Sequence, residues 1–205
     1  LLLSHMRGHI CDMDALMALC DAAGVTVIED CAHTMGASWN STPTGRFGKL
    51  GCFSTQTYKQ INAGEGGLLI SDDAEAMARA VLLSGSYMMY DHHRAAPPPE
   101  AFEALRYGVP NISGRMDNLR AAILRPQLTA LKRQAGRWND RYVRLAKGLA
   151  DVSGLTVPTR PAQEKYVASS FQFLLLDWRE QDVMTVLDRC AARGVVLKWF
   201  GAAEP

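Results

Sequence analysis

Val27-Ile28-Glu29-Asp30-Cys31-Ala32-His33 is a short β-branched start closed by two acids, then by small and polar residues. It reads as a strand over residues 25–29 that ends in a polar loop. In open α/β sheets ligands bind beyond the carboxyl ends of strands, so Asp30 stands where chemistry is done. The competing reading of Asp30, a cap on the following turn, rests on an equally common habit of aspartate. Under strand alternation Glu29 points to the opposite face. Working backwards, Asp12 caps a helix whose apolar positions Met13, Leu16, Met17 and Cys20 recur at helical spacing, and Gly24 stops it. Leu1-Leu2-Leu3-Ser4 in front of that helix completes a β-α-β unit with parallel strands.

Working forwards, residues 40–45 with Pro43 form a turn, and residues 51–54 and 67–71 form two more short strands. Asp73 caps a helix over 74–83 that ends at Gly85. This alternation predicts an α/β layered domain with a mostly parallel sheet. Residues 86–114 interrupt it: Pro97-Pro98-Pro99, Gly108, Pro110 and Gly114 leave room for two helical turns at most, over 100–107. Helical periodicity resumes from 117 to 150, where Pro126 should kink or split the helix. A linker at 154–161 leads to a strand at 169–176, a helix at 180–193 stopped by Gly194, and a last strand at 195–198. We therefore expect residues 1–115 to be part of a large α/β domain, and residues 116–205 to be a long helix and a truncated α+β C-terminal domain. The chain opens on three leucines, without an initiator Met, and stops soon after a strand, so we read it as part of a longer protein.

The 205 residues are 48% hydrophobic and 21% charged, ordinary values for a globular protein. A formal charge of +1 with scattered Lys and Arg gives no field for nucleic acid or an anionic membrane. Five dispersed cysteines without a C-x-x-C pair argue against a disulfide framework or a zinc knuckle and fit a reducing cytoplasm. No apolar run approaches the ~18 residues of a membrane span. His5 and His9 are four apart, yet Gly8 lies between them and no ligand at helical spacing completes a set, so they read as loop histidines and no metal is expected. His92-His93 read as solvated, and Trp138 and Tyr142 as packing residues on the long helix. Cys31 and Cys52 adjoin Asp30 without a basic partner to activate a thiol.

Lys59 is a different matter. An isolated lysine is usually a solvated charge. This one lies between the strand that ends at Ser54 and the cluster Gly64-Glu65-Gly66-Gly67, where backbone can approach a bound group closely. An amine, a carboxylate and a hydroxyl in the order Asp30, Ser54, Lys59 are the groups that pyridoxal 5′-phosphate (PLP) requires. The order and spacing resemble the DegT/DnrJ/EryC1/StrS group of sugar aminotransferases. Ile28-Glu29-Asp30-Cys31-Ala32-His33 is similar to that family's E-D-x-A-[QH] motif, and Gly45-x-x-Gly48-x-x-Gly51-Cys52-Phe53-Ser54 to the segment leading to its phosphate-binding serine. Gly64-Glu65-Gly66-Gly67 matches its G-E-G-G signature, and Arg115-Met116 through Ala121-Ala122 its R-M-x-x-x-x-A-A helix.

The resemblance implies a fold-type-I PLP-dependent transferase, homodimeric and cytoplasmic. It would move an amino group, usually from glutamate, to a keto group of a nucleotide-linked sugar. Alternatives are a ketone acceptor without a nucleotide, such as a cyclitol, or a non-catalytic regulator or partner subunit of the same fold. Lys59 speaks against the last of these, and against the family's dehydratase branch, in which His replaces the lysine. The resemblance makes Lys59 the Schiff-base lysine, Asp30 the partner of the pyridine nitrogen, His33 a neighbour of the ring and Ser54 a phosphate ligand. Where the family reads N-x-R-M, this chain reads Asn111-Ile112-Ser113-Gly114-Arg115-Met116. Asn111 or Ser113 would then contact the neighbouring subunit's phosphate, and Asn111, with two amide donors, is preferred. The family's earlier segment, which brings a helix N-terminus for the phosphate and an aromatic for the ring, is not in these residues.

Overall fold

A computed structural model of the chain describes residues 1–85, 89–110 and 112–201. Strand β1 (Leu2–Ser4) leads through a turn of 3-10 helix, Met6–Gly8, to α1 (Met13–Ala22). Asp12 accepts the Ala15 N–H at 3.0 Å and caps α1, and Gly24 follows it with φ +64°. Strand β2 (Ile28–Asp30) then lies parallel to β1, with Leu2 opposite Ile28 and Ser4 opposite Asp30. The predicted β-α-β unit is present, but its second strand starts later than expected and includes Asp30 as its last residue.

Residues 40–45, expected as a plain turn, belong to a hairpin of β3 (Ser38–Trp39) and β4 (Thr42–Pro43). Its corner is Asn40-Ser41, with φ of +44° and +67°, the left-handed pair that a two-residue hairpin turn requires. Pro43 sits on an edge strand, where its missing N–H costs no ladder bond. Strand β5 (Leu50–Ser54) pairs parallel with β2, and β6 (Gly67–Ile70) pairs antiparallel with β5. The main sheet therefore runs β1-β2-β5-β6, two pairings parallel and one antiparallel. Helix α2 (Ala74–Leu83) is capped by Asp73 as expected, its side chain accepting the Ala76 N–H at 2.8 Å. Of residues 100–107 only α3 (Glu100–Glu103) is α-helical, and Phe102 from it packs fully buried against Ala78, Val81 and Leu82.

Helix α4 runs unbroken from Asn118 to Leu149 with Pro126 inside it, so the expected split does not occur. A proline in a helix interior costs ~3 kcal/mol. Here Leu124 and Leu131 on either side of it pack with Met35 and Ile61, which offsets that cost.

Contacts divide the chain into two compact units. The first comprises residues 1–142 and 160–171, the second 143–159 and 172–205. In the first, strand β8 (Glu164–Lys165) pairs antiparallel with β3, and Val167 joins the buried cluster of Ile10, Met13, Ala37 and Trp39. In the second, β7 (Leu155–Thr156) pairs with β9 (Leu174–Leu175), and α5 (Glu180–Ala191) buries Val183. The strand expected over 169–176 shrinks to β9, because residues up to 171 are engaged in the first unit. The strand expected at 195–198 is absent: Val195 closes the end of α5 by donating to the Cys190 carbonyl, and no ladder partner lies beside the segment among the described residues. No helix among the described residues is long and apolar enough to cross a membrane.

Candidate functional site

Register places the chemistry. Residues paired across a sheet share a face, and alternate residues of one strand do too. Ser4 pairs with Asp30 and Asp30 with Cys52, so Ser4, Asp30, Cys52 and Ser54 point to one side at the carboxyl edge of three adjacent parallel strands. The Ser4 hydroxyl donates to Asp30 Oδ2 at 2.9 Å, and the Ala32 N–H to Oδ1 at 3.0 Å. Both bonds orient a half-buried carboxylate without closing it off. Ser54 Oγ accepts the Gln56 N–H at 3.2 Å, which leaves its own proton to donate.

Lys59 lies in the loop joining β5 to β6. Thr55 N–H donates to the Gly66 carbonyl at 2.9 Å and Thr57 N–H to that of Gly64 at 2.8 Å, so the loop is a compact hairpin extension. Gly66 has φ +135°, and a Cβ there would stand 2.8 Å from Thr55 Oγ1 and 2.9 Å from Met116 Cε. Only glycine lets the two arms close this tightly. Helix α4 grips the same loop. Gln127 accepts the Asn62 N–H at 3.0 Å and donates to the Asn62 carbonyl at 2.7 Å, while Ile61 is buried beside it. Tyr58, just before the lysine, holds φ +74° and is 94% exposed. A backbone of this kind costs on the order of 1–3 kcal/mol and persists where the surroundings impose it.

The loop brings Lys59 Nζ to 3.3 Å from His33 Nε2. Burial lowers the His33 pKa first, and the Lys59 and Arg7 charges lower it further against the opposing effect of Asp30. A neutral imidazole can accept a hydrogen bond from an ammonium, whereas an imidazolium would repel it. His33 and Lys59 thus meet in the loops that follow the strands carrying Asp30 and Ser54. Asn111 lies outside the described residues; Ser113, its alternative, is exposed. Lys49, the lysine nearest in sequence, precedes β5 at the opposite end and is paired with Asp73 at 2.8 Å.

The other face of the same strands is built quite differently. Glu29 is fully buried. Its carboxylate accepts the N–H groups of Gly45, Phe47 and Gly48, each at 2.8 Å, and meets His5 Nε2 at 3.1 Å. Burial alone would raise its pKa, but His5 and these three N–H groups outweigh that and lower it. The sequence pattern marks His5 as a loop histidine; at 1% exposure it is a core residue instead. His9 is half-buried, and His92 and His93 are exposed. The donor atoms of His5, Glu29 and Cys31 lie within 4.8 Å of one another, a spacing a metal could bridge. However, the Glu29 oxygens are already committed to four donors, and burial pushes the Cys31 thiol up to about 12, with the Glu29 charge adding to it. The trio is scaffold. Burial, then Asp30, also raises the Cys52 thiol, so neither cysteine is activated.

Sequence reading missed four residues. Ser4, Gln60 (whose amide donates to the His33 carbonyl), Gln127 and His5 each act on a partner far away in the chain, and only the expected pairing of the first two strands hinted at one of them. The donor set fits PLP. Asp30 and Ser54 share one face at the carboxyl edge of adjacent strands, and an amine meets an imidazole in the loops that follow those strands.

The DegT/DnrJ/EryC1/StrS aminotransferase family profile matches residues 1–200. A UDP-N-acetyl-3-dehydro-alpha-D-glucosamine 3-aminotransferase of Acidithiobacillus ferrooxidans is 34% identical over 83% of this chain and 43% of its own length. The L-glutamine:scyllo-inosose aminotransferase of Streptomyces griseus is 34% identical over 72% of the chain and 34% of its own. Among solved structures, DesV of S. venezuelae superposes with a TM-score of 0.76 at 27% identity, over 95% of this chain and 48% of that one. The chain spans less than half the length of these curated relatives.

Proposed function

The chain belongs to the DegT/DnrJ/EryC1/StrS aminotransferase family, and from that premise we propose that the protein transfers an amino group from an amino acid, usually glutamate, to a small keto acceptor with PLP as cofactor. The observation that supports this most is the approach of Lys59 Nζ to His33 at the edge that also carries Asp30 and Ser54. When bound, PLP supplies a ring that accommodates the electron pair left at the donor's Cα. The rest falls to this chain. Lys59 would hold the cofactor through Nζ, and that nitrogen would take the proton from the donor's Cα. Asp30, oriented by Ser4 and the Ala32 N–H, would hold a proton on the pyridine nitrogen. His33, its pKa lowered by burial and by the Lys59 and Arg7 charges, would flank the ring, and Ser54 would donate to the phosphate.

We further propose a cytoplasmic homodimer in which Asn111, or Ser113, reaches the neighbouring subunit's phosphate. Residues 1–115 are proposed to belong to the large PLP-binding domain and 116–205 to the long helix and small domain. For the acceptor we favour a nucleotide-linked keto-sugar. The equal identity to an inosose aminotransferase favours a cyclitol as the second reading.

Borohydride reduction of the full-length protein with PLP, followed by peptide mapping, should place the pyridoxyl mass on Lys59. Label on Lys49 would sink the assignment. Paired turnover assays with a UDP-linked 3-keto-sugar and with scyllo-inosose then decide the acceptor.

A further inference from the structure

Gln60 follows the proposed catalytic lysine and points inward. It is 8% exposed, and its amide donates to two groups remote in sequence: the His33 carbonyl at 2.5 Å and Ser169 Oγ at 3.4 Å. A primary amide has two N–H bonds, and both are used. We propose that Gln60 is a positioning residue: it ties the loop carrying Lys59 to the loop carrying His33 and to the shelf at residue 169, fixing the approach of the imidazole to the lysine amine.

The shelf is rigid enough for this. Asn139 on α4 donates to the Tyr166 carbonyl and accepts the Ala168 N–H, both at 2.9 Å, and Val167 is buried in the core between them. Upstream, Arg160 donates to the Gly8 carbonyl and to Glu164, both at 2.7 Å. Its guanidinium lies 5.2 Å from the Tyr142 ring centre and 4.8 Å from that of Tyr166. Gly8 itself packs under His33: a Cβ there would come within 3.2 Å of the His33 carbonyl oxygen. One end of the Gln60 clip is therefore fixed by a buried ion pair and the other by the lysine's own peptide. Neither Gln60 nor Ser169 need touch substrate or cofactor, so the effect passes through His33 and Lys59.

The inference rests on the proposed aminotransferase reading for its catalytic consequence but not for its geometry, and the test separates the two. Gln60→Met keeps length and volume and removes both donors. In the cofactor-free full-length protein, the His33 imidazole is titrated by NMR. The charged groups acting on that ring are Lys59, Arg7 and Asp30. Losing the clip lets His33 move off Lys59 and toward water, so its midpoint should rise in Gln60→Met. Ser169→Ala, at an exposed position, should shift it the same way by less and decides the matter should Gln60→Met not fold. In the PLP-loaded protein kcat should fall about tenfold, with KM for the amino donor unchanged within twofold. An unshifted His33 midpoint overturns the clip, and a shifted midpoint with wild-type kcat overturns its positioning role. Failure of the wild type to take label on Lys59 would defeat the aminotransferase reading instead, and the His33 titration would then decide the clip on its own.

Discussion

Glu29 and Asp30 are neighbours with the same functional group, and they do opposite work. Glu29 faces the interior, takes four hydrogen bonds and closes residues 45–48 onto the strand. Asp30 faces the sheet's open edge, takes two bonds and keeps the rest of its carboxylate accessible. The period of two along a strand is the whole cause of this division. A saturated acid fixes a scaffold, whereas an undersatisfied one at a strand's carboxyl end is available to a ligand. The same contrast separates His5, sealed against Glu29, from His33, which meets the lysine.

The comparison breaks most visibly if each acid is neutralised in place. Asp30→Asn should lower kcat by about 10³-fold while leaving the thermal midpoint and Lys59 labelling intact, since the loss falls on ring protonation alone. Wild-type turnover in that variant would end the proposed role. Glu29→Gln should do the reverse. An amide cannot accept from all the N–H groups of Gly45, Phe47 and Gly48, and hydrogen bonds to a buried carboxylate are worth about 1.5–3 kcal/mol each, so the urea midpoint should drop sharply, with the folded fraction retaining its turnover per site. Equal stability would mean that residues 45–48 do not depend on Glu29.

A pH series sharpens the contrast. The Glu29 carboxyl titrates below its ordinary 4.5 when folded, so the unfolded chain binds protons more readily. Its stabilisation is fully present above 4.5 and is lost as pH falls through the lowered folded value. Urea midpoints of wild type should therefore fall in that range, and those of Glu29→Gln should fall less steeply. The smallest expected effect belongs to Ser4→Ala, which removes one hydroxyl-to-carboxylate bond at an exposed position, where water can take its place. Turnover should fall roughly fivefold to tenfold, with stability within about 0.5 kcal/mol of wild type. A loss of stability with unchanged turnover would move Ser4 from the ligand face to the scaffold.

Local chemistry made much of this legible. Asp12 and Asp73 cap the helices they were expected to cap, because a side chain and an N–H three residues on need no other context. The opening β-α-β unit, the strand ending at Ser54 and the glycine cluster follow from composition and spacing alone. So does the assignment of Glu29 and Asp30 to opposite faces. Tertiary structure decided the rest, always through partners far apart in the chain. Pro126 sits in an unbroken helix because the core, rather than the peptide, bears its cost. His5 became a core residue because a parallel strand 24 residues away delivered a carboxylate to it. Gln60 reaches residue 169, and Gln127 reaches back to residue 62. Hydrogen-bond donors of this kind carry no periodicity and no local cue, so the sequence determined which groups could react, and packing alone decided which of them meet.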